Sequence, residues 1–123
     1  MNIILISIFG VLGVLTRYSA DVYWEDKNHI FPYATLLVNI LGCFVAGFIY
    51  TLLSKKLIMS EQMARAIIIG FCGGLTTFSG YCLQSLNLMQ YGDILKAFTF
   101  IVISIALGLA TILLGIKSAT YIA

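Results

Sequence analysis

Charged residues are scarce in this chain, since Asp, Glu, Lys and Arg make up only 10% of its 123 residues. The five carboxylates lie between apolar runs or at their ends, at Asp21, Glu25, Asp26, Glu61 and Asp93. A proton-coupled exporter needs a titratable group inside the membrane, and no apolar run has a carboxylate away from its ends. A membrane hydrolase or transferase would need a nucleophile beside a base, and no run has His, Lys, Asp or Glu near its centre. We therefore predict that the protein is not an enzyme.

Histidine and cysteine are also rare, with one His and three Cys. The cysteines, Cys43, Cys72 and Cys82, fall inside apolar runs without metal-ligand spacing, which indicates small apolar side chains. His29 lies in the first loop, where a surface role is expected and a zinc site with nearby carboxylates is the alternative. The net charge is only +2 and the basic residues are scattered, so we predict no nucleic-acid partner.

The chain consists mainly of long apolar stretches, and 61% of its residues are hydrophobic. Four runs, at 3–23, 33–54, 62–90 and 94–116, are long enough to cross about 30 Å of hydrocarbon. They predict an all-α, multi-pass protein of the cell membrane, surrounded by lipid, with a single four-helix domain over residues 1–123. Flanking cations number four on one side and three on the other, so the chain either inserts both ways or takes its orientation from a partner.

The third run is unusually rich in glycine and hydroxyl side chains. These residues are Gly70, Gly73, Gly74, Thr76, Thr77, Ser79 and Gly80. Each glycine costs about 1 kcal/mol of helix propensity relative to alanine, and hydroxyls compete for backbone hydrogen bonds. We predict a helix broken within the membrane, which requires burial in protein or a polar cavity. A close helix crossing and an ion or substrate site both remain open as its purpose.

Each of the other runs carries one distinctive polar residue. In the first run, a stripe of small residues ends at Arg17. This arginine marks either the end of a helix-packing face or a vestibule that attracts anions. Asn39 shares a helical face with Gly42 in the second run, and it either bridges to another helix or donates into a wet cavity. Ser104 and Gly108 repeat this polar and small pattern in the fourth run. The helices formed by the second and fourth runs are therefore predicted to pack closely around a common feature.

Three groups of these residues together resemble the Fluc (CrcB) fluoride channels. The groups are Gly73 to Ser79 in the third run, Gly10, Gly13, Arg17 and Tyr18 in the first, and Thr35, Asn39 and Gly42 in the second. The resemblance covers essentially the whole chain, with the groups in the family's order. It implies a passive channel that exports fluoride, built as an antiparallel dual-topology dimer with two pores. It also implies a structural sodium ion on the dimer axis.

The resemblance assigns roles to individual residues. Sodium would be held by the backbone carbonyls of Gly73 and Thr76, which places the break at Gly73 to Thr76. Arg17 would lie in the vestibule. The predicted pore residues are Asn39, Phe78, Ser79, Tyr81 and Ser104. Fluoride holds its water tightly, so a pore must offer dense hydrogen-bond donors, which hydroxyls and Asn can supply. An aromatic ring can present its positive edge to an anion.

The chain departs from the family pattern immediately after Ser79. Where the family usually reads Ser-Thr-Phe-Ser-x-Glu, this chain has Gly80, Tyr81, Cys82 and Gln84 at the four variable positions. Two hydroxyls are missing, one phenylalanine is a tyrosine and one carboxylate is an amide. The second subunit is therefore either an identical copy or a related, non-identical chain that supplies the missing pore residues. A non-conducting or half-conducting partner subunit and a non-transporting assembly scaffold remain the alternatives.

Overall fold

The computed structural model describes residues 2–25, 31–55 and 59–122. Its α-helices are α1 (Asn2–Glu25), α2 (Tyr33–Ser54), α3 (Glu61–Arg65), α4 (Gly73–Leu75), α5 (Phe78–Gln90) and α6 (Ile94–Ile122), and a π-helical segment, Ala66–Cys72, joins α3 to α4. Four stretches of the described chain are long and apolar enough to cross a membrane, the third running from Glu61 to Gln90. The predicted all-α fold with four spans is thereby confirmed. His29 lies outside the described residues.

Several hydroxyl groups within the helices donate to the backbone carbonyl of the preceding turn. Ser7 donates to the Ile3 carbonyl at 2.7 Å, and Thr16 donates to the Leu12 carbonyl at 2.8 Å, each one turn earlier. A hydroxyl bonded in this way can face lipid, since no polar group is left open. The predicted end of the fourth span at 116 was too early, because α6 continues to Ile122.

The second and fourth spans pack against each other through glycine. A Cβ atom on Gly115 would lie 2.9 Å from the Phe48 nitrogen, and one on Gly47 would meet the Ile112 carbonyl. Neither position has room for a larger residue. Small residues let helix backbones approach closely in membranes, where contact and not hydrophobicity drives association. The predicted close packing of the second and fourth spans is therefore observed.

The first half of the third span (residues 61–75) packs just as closely on α1. A Cβ atom on Gly70 would lie 2.6 Å from the Ile6 carbonyl oxygen, and one on Gly74 would lie 2.6 Å from the Gly10 carbonyl oxygen. These glycines therefore make a close helix crossing, one of the two purposes left open above. The π-helical geometry of this half was not predicted, and the sequence pattern gives no sign of it.

The third span is broken at Thr76 and Thr77, which both have extended backbones. Their φ and ψ angles are −83° and 156° for Thr76, and −146° and 120° for Thr77. The predicted start of the break at Gly73 was wrong, because Gly73 is helical and the Thr76 N–H closes the last turn on the Cys72 carbonyl at 2.9 Å. Packing on α1 outweighs the low helix propensity of glycine there. Thr77 then caps α5 by accepting from the Gly80 N–H at 3.0 Å.

Candidate functional site

Asn39 on α2 pairs with the backbone of the break. Its Oδ1 accepts from the Thr77 N–H at 2.8 Å, and its Nδ2 donates to the Thr77 carbonyl at 3.3 Å. An extended residue at membrane depth lacks the bonds that a helix would give it, so a side chain must provide them. Asn39 therefore bridges two helices, which was one of its two predicted roles.

Asn39 also lines a cavity of about 320 Å³, here called the central cavity. The walls include Phe78 and Tyr81 from α5, and Ser104 from α6. The remaining lining residues are Cys43, Thr76, Thr77, Ile105 and Gly108. The structure therefore brings four predicted pore residues to one space, next to the break. Asn39 holds the break and faces the cavity, so its two predicted positions are compatible.

Ser104 is the polar group of the central cavity that lacks a partner. Its Oγ is buried and makes no hydrogen bond within the described chain. Other hydroxyls on α6 behave differently, since Thr99 donates to the Leu95 carbonyl and Thr111 to the Leu107 carbonyl, each at 2.8 Å. A buried hydroxyl left unpaired costs about 1–3 kcal/mol, so a ligand that accepts its hydrogen bond would recover that energy.

Two aromatic rings form one wall of the central cavity. The ring centroids of Phe78 and Tyr81 are 5.9 Å apart, and Tyr81 also packs on Phe100 at 5.3 Å. The Tyr81 hydroxyl donates to the Ile101 carbonyl at 3.4 Å. That oxygen is therefore directed at the α6 backbone, and the ring can serve the cavity as a phenylalanine ring would.

Of the other predicted site residues, Thr76 lines the central cavity, whereas Ser79, Gly73 and Arg17 lie outside it. Ser79 is exposed, with its Oγ 3.3 Å from the Thr77 Oγ1. Gly73 is exposed on the same span, and a Cβ there would have only the Ile68 carbonyl oxygen nearby, at 3.9 Å. Arg17 is half-buried on α1, and its Nε has no hydrogen-bond partner in the described part of the chain.

Sequence reasoning missed two residues of the cavity wall, Cys43 and Ile105, and helical spacing could have identified the first of them. Cys43 follows Asn39 by four residues on α2, and Ile105 is the direct neighbour of Ser104 on α6. Residues four apart on a helix share a face, so the position of Asn39 predicts that of Cys43. The Cys43 thiol was interpreted only as an apolar side chain.

The break changes the hydrogen bonding of two backbone carbonyls. In a continuous helix, each carbonyl accepts from the N–H four residues later. The Thr77 N–H, which would bond to Gly73, donates to Asn39 instead. The Gly80 N–H, which would bond to Thr76, donates to the Thr77 hydroxyl. The carbonyls of Gly73 and Thr76, predicted as sodium ligands, therefore each lose the N–H that a continuous helix would give them. Carbonyl oxygen is a suitable ligand for a hard cation.

Comparisons with known proteins agree across nearly the whole chain. Residues 4–116 match the family model described as CrcB-like protein, Camphor Resistance (CrcB). The fluoride-specific ion channel FluC of Geotalea daltonii is 38% identical over 122 residues, covering 98% of each chain. The FluC of Chlorobium chlorochromatii is 36% identical over 122 residues, covering 99% of this chain and 95% of the relative. The resemblance inferred from the motifs is confirmed, and the chain belongs to the CrcB family.

Proposed function

We propose that this chain is a subunit of a passive, fluoride-selective channel that lets fluoride leave the cell. The observation that carries the proposal is the central cavity, where the unpaired Ser104 hydroxyl faces Asn39 and two aromatic rings. Similar proteins are named fluoride-specific ion channels, which supports the same conclusion. A channel needs no titratable group in the membrane, in keeping with spans that have carboxylates only near their ends.

The chemistry of the cavity suits a small anion that is costly to dehydrate. Ser104 offers one O–H donor, and the Asn39 amide carries a second N–H besides the one directed to Thr77. The ring edges of Phe78 and Tyr81 are weakly positive, and the apolar rings exclude bulk water from this wall. Fluoride accepts short, strong hydrogen bonds, so these donors can replace part of its hydration shell. Chloride is larger and accepts weaker hydrogen bonds, so it gains less from the same donors.

The channel is proposed to be an antiparallel dimer with two pores. Phe78 is 78% exposed in the single chain, and Gly73 and Ser79 on the same span are exposed as well. A second subunit that covers this face would bury the Phe78 ring and complete the cavity wall. The weak charge bias between the two sides of the chain is compatible with insertion in both orientations.

The Gly73 and Thr76 carbonyls are the proposed sodium ligands on the axis of this dimer. Each has lost the N–H that a continuous helix would give it, and the exposed side of Gly73, where a Cβ would lie, is open within the described chain. A bound sodium ion would supply fixed positive charge that compensates these oxygens. The ligands contributed by this chain are backbone atoms, so the site depends on the shape of the break and not on side-chain identity.

A second candidate function is that of a subunit in a heterodimer with one competent pore. The observation that favours it is the loss of side-chain groups at Gly80, Cys82 and Gln84 relative to the family pattern. Gly80 is also structurally adapted, since a Cβ there would lie 2.8 Å from the Thr77 Cγ2 and 3.1 Å from its Oγ1. Restoring a threonine at this position would therefore disturb the cap of α5.

Ser104 gives a test with a matched control. Ser104→Ala removes the unpaired hydroxyl, whereas Thr99→Ala removes a hydroxyl that is already bonded within α6. With purified protein in fluoride-loaded liposomes, we expect Ser104→Ala to lower fluoride efflux about tenfold, the value of one hydrogen bond of roughly 1.4 kcal/mol. Thr99→Ala should match the unsubstituted protein. Equal efflux from both variants would show that Ser104 does not contact the ion.

A further inference from the structure

The seam between α2 and α6 consists of three layers, each four residues after the last on both helices. The layers are Asn39 with Ser104, Cys43 with Gly108, and Gly47 with Ile112. Residues four apart share a helical face, so the layers follow one another along the seam. The first layer borders the central cavity, whereas the third is closed, because a Cβ on Gly47 would lie 3.2 Å from the Ile112 Cα. The central cavity therefore narrows at the middle layer.

Helix packing does not require the glycine of this middle layer. A Cβ on Gly108 would lie 3.6 Å from the Cys43 Sγ, an ordinary van der Waals contact. At Gly115, by contrast, a Cβ would lie 2.9 Å from the Phe48 nitrogen. Glycine costs about 1 kcal/mol of helix propensity relative to alanine. What Gly108 provides in return is open space, and this space belongs to the central cavity.

The middle layer differs from the first layer in its chemistry. Asn39 and Ser104 carry amide and hydroxyl donors, whereas the Cys43 thiol is only a weak donor and Gly108 has no side chain. An occupant that touches the middle layer is therefore held by its fit and not by strong hydrogen bonds. Size is the property that this layer can distinguish.

We propose that Cys43 and Gly108 form a constriction that sets the size of the anion admitted to the central cavity. This inference rests on the proposed function. The gap that Gly108 leaves in front of the Cys43 sulfur accommodates a small anion that accepts from Ser104, and one added methyl group fills that gap. Selectivity then has two parts: the donors of the first layer favour an anion that accepts strong hydrogen bonds, and the constriction excludes a larger anion.

Gly108→Ala gives the first test. The added methyl group has room within the chain, so this variant should elute and melt like the unsubstituted protein. We expect its fluoride efflux from loaded liposomes to be about tenfold lower, because one extra methyl group would overpack the occupied cavity. Gly10→Ala is the matched control, since a Cβ there also has room, 3.8 Å from the Gly70 carbonyl oxygen, and Gly10 lies outside the central cavity. It should conduct normally.

A rescue experiment separates a narrowed cavity from a change in helix propensity. Cys43→Ala removes the sulfur that faces the added methyl group, so the double variant of Gly108→Ala and Cys43→Ala should recover most of the lost efflux. Residues in contact show such non-additive effects. Cys72→Ala removes a buried thiol that does not line the central cavity, so it should not rescue Gly108→Ala.

Thiol modification tests the constriction without fluoride. Methyl methanethiosulfonate converts a cysteine thiol into a methyl disulfide and releases methanesulfinic acid, and peptide mass spectrometry follows the reaction at each cysteine. We expect Cys43 to react through the central cavity, and to react about tenfold more slowly in Gly108→Ala. The exposed Cys82 should react equally fast in both proteins.

The outcomes separate this inference from the proposed function. Normal efflux from Gly108→Ala, or no rescue by Cys43→Ala, would overturn the constriction while fluoride conduction stands. If no protein released fluoride but Gly108→Ala still slowed the reaction at Cys43, the proposed function would fail and the constriction would stand. If Gly108→Ala did not fold, Cys43→Val would narrow the same layer from α2, and normal efflux from that variant would overturn the proposal.

Discussion

At the scale of single residues, Asn39 is the side chain on which the break depends. It satisfies both the N–H and the carbonyl of Thr77, which is 38 residues away in the sequence. A nonpolar residue at this position would leave both backbone groups of an extended residue without a partner at membrane depth. Because the same amide lines the central cavity, stability and proposed conduction are linked at Asn39.

Replacing Asn39 with leucine should therefore reduce both properties. We expect Asn39→Leu to lower the free energy of unfolding by about 1–3 kcal/mol and to lower fluoride efflux. Asn39→Asp keeps the oxygen that accepts from Thr77, so it should remain folded better than the leucine variant while losing the amide donor. Thermal unfolding in detergent and liposome efflux measure the two effects. An Asn39→Leu protein as stable as the unsubstituted chain would contradict the bridging role.

Removing the Tyr81 hydroxyl is predicted to have little effect on fluoride efflux. Its hydroxyl donates to the Ile101 carbonyl at 3.4 Å, which is long for a hydrogen bond and contributes little. Tyr81→Phe keeps the ring beside Phe78 and should leave fluoride efflux within about twofold of the unsubstituted protein. Tyr81→Leu removes the ring and should reduce efflux strongly. If Tyr81→Phe abolished efflux, the hydroxyl and not the ring would be the group that serves the pore.

At the scale of elements, the third span combines two kinds of glycine. Gly70 and Gly74 face α1, where a Cβ would lie 2.6 Å from a carbonyl oxygen in each case. Gly73 is exposed, and its Cβ position is open within the chain. Gly70 and Gly74 are therefore needed for the subunit to fold, whereas Gly73 is available for contact with a neighbouring subunit or a bound cation.

The two kinds of glycine predict different defects. Gly74→Ala should destabilise the subunit itself, because the added Cβ would collide with the α1 backbone. Gly73→Val should leave the subunit helical but weaken the dimer, because the added bulk lies where the partner and the sodium are proposed to sit. Circular dichroism reports the helix content, and size-exclusion chromatography with light scattering reports the dimer. A stable Gly73→Val dimer would argue against that placement of the axis.

The sequence was sufficient to predict the spans and the existence of the break, because apolar run length and clustered glycines are local signals. It was not sufficient to place the break, since packing of Gly74 on α1 keeps Gly73 helical and moves the interruption to Thr76 and Thr77. The π-helical segment and the pairing of Asn39 with Thr77 depend on contacts between spans. Such contacts are not encoded in the residue pattern of one helix.

At the scale of the whole molecule, the face that the proposed function requires is exposed in the single chain. Phe78 and Gly73 are both exposed, although one lines the central cavity and the other is a proposed sodium ligand. The proposed dimer accounts for both, because a second copy would cover the ring and place two sets of backbone oxygens near one axis. The departures at Gly80 and Gln84 would then occur in both pores of a homodimer.

The most direct test of fluoride conduction is efflux from liposomes that contain only this chain. The purified protein is reconstituted into vesicles loaded with potassium fluoride or potassium chloride, and ion-selective electrodes follow each anion after valinomycin is added. We predict rapid release of fluoride and no release of chloride above protein-free vesicles. Equal release of the two anions, or no fluoride release from protein that is helical and monodisperse, would contradict the proposal that this chain forms a fluoride-selective channel by itself.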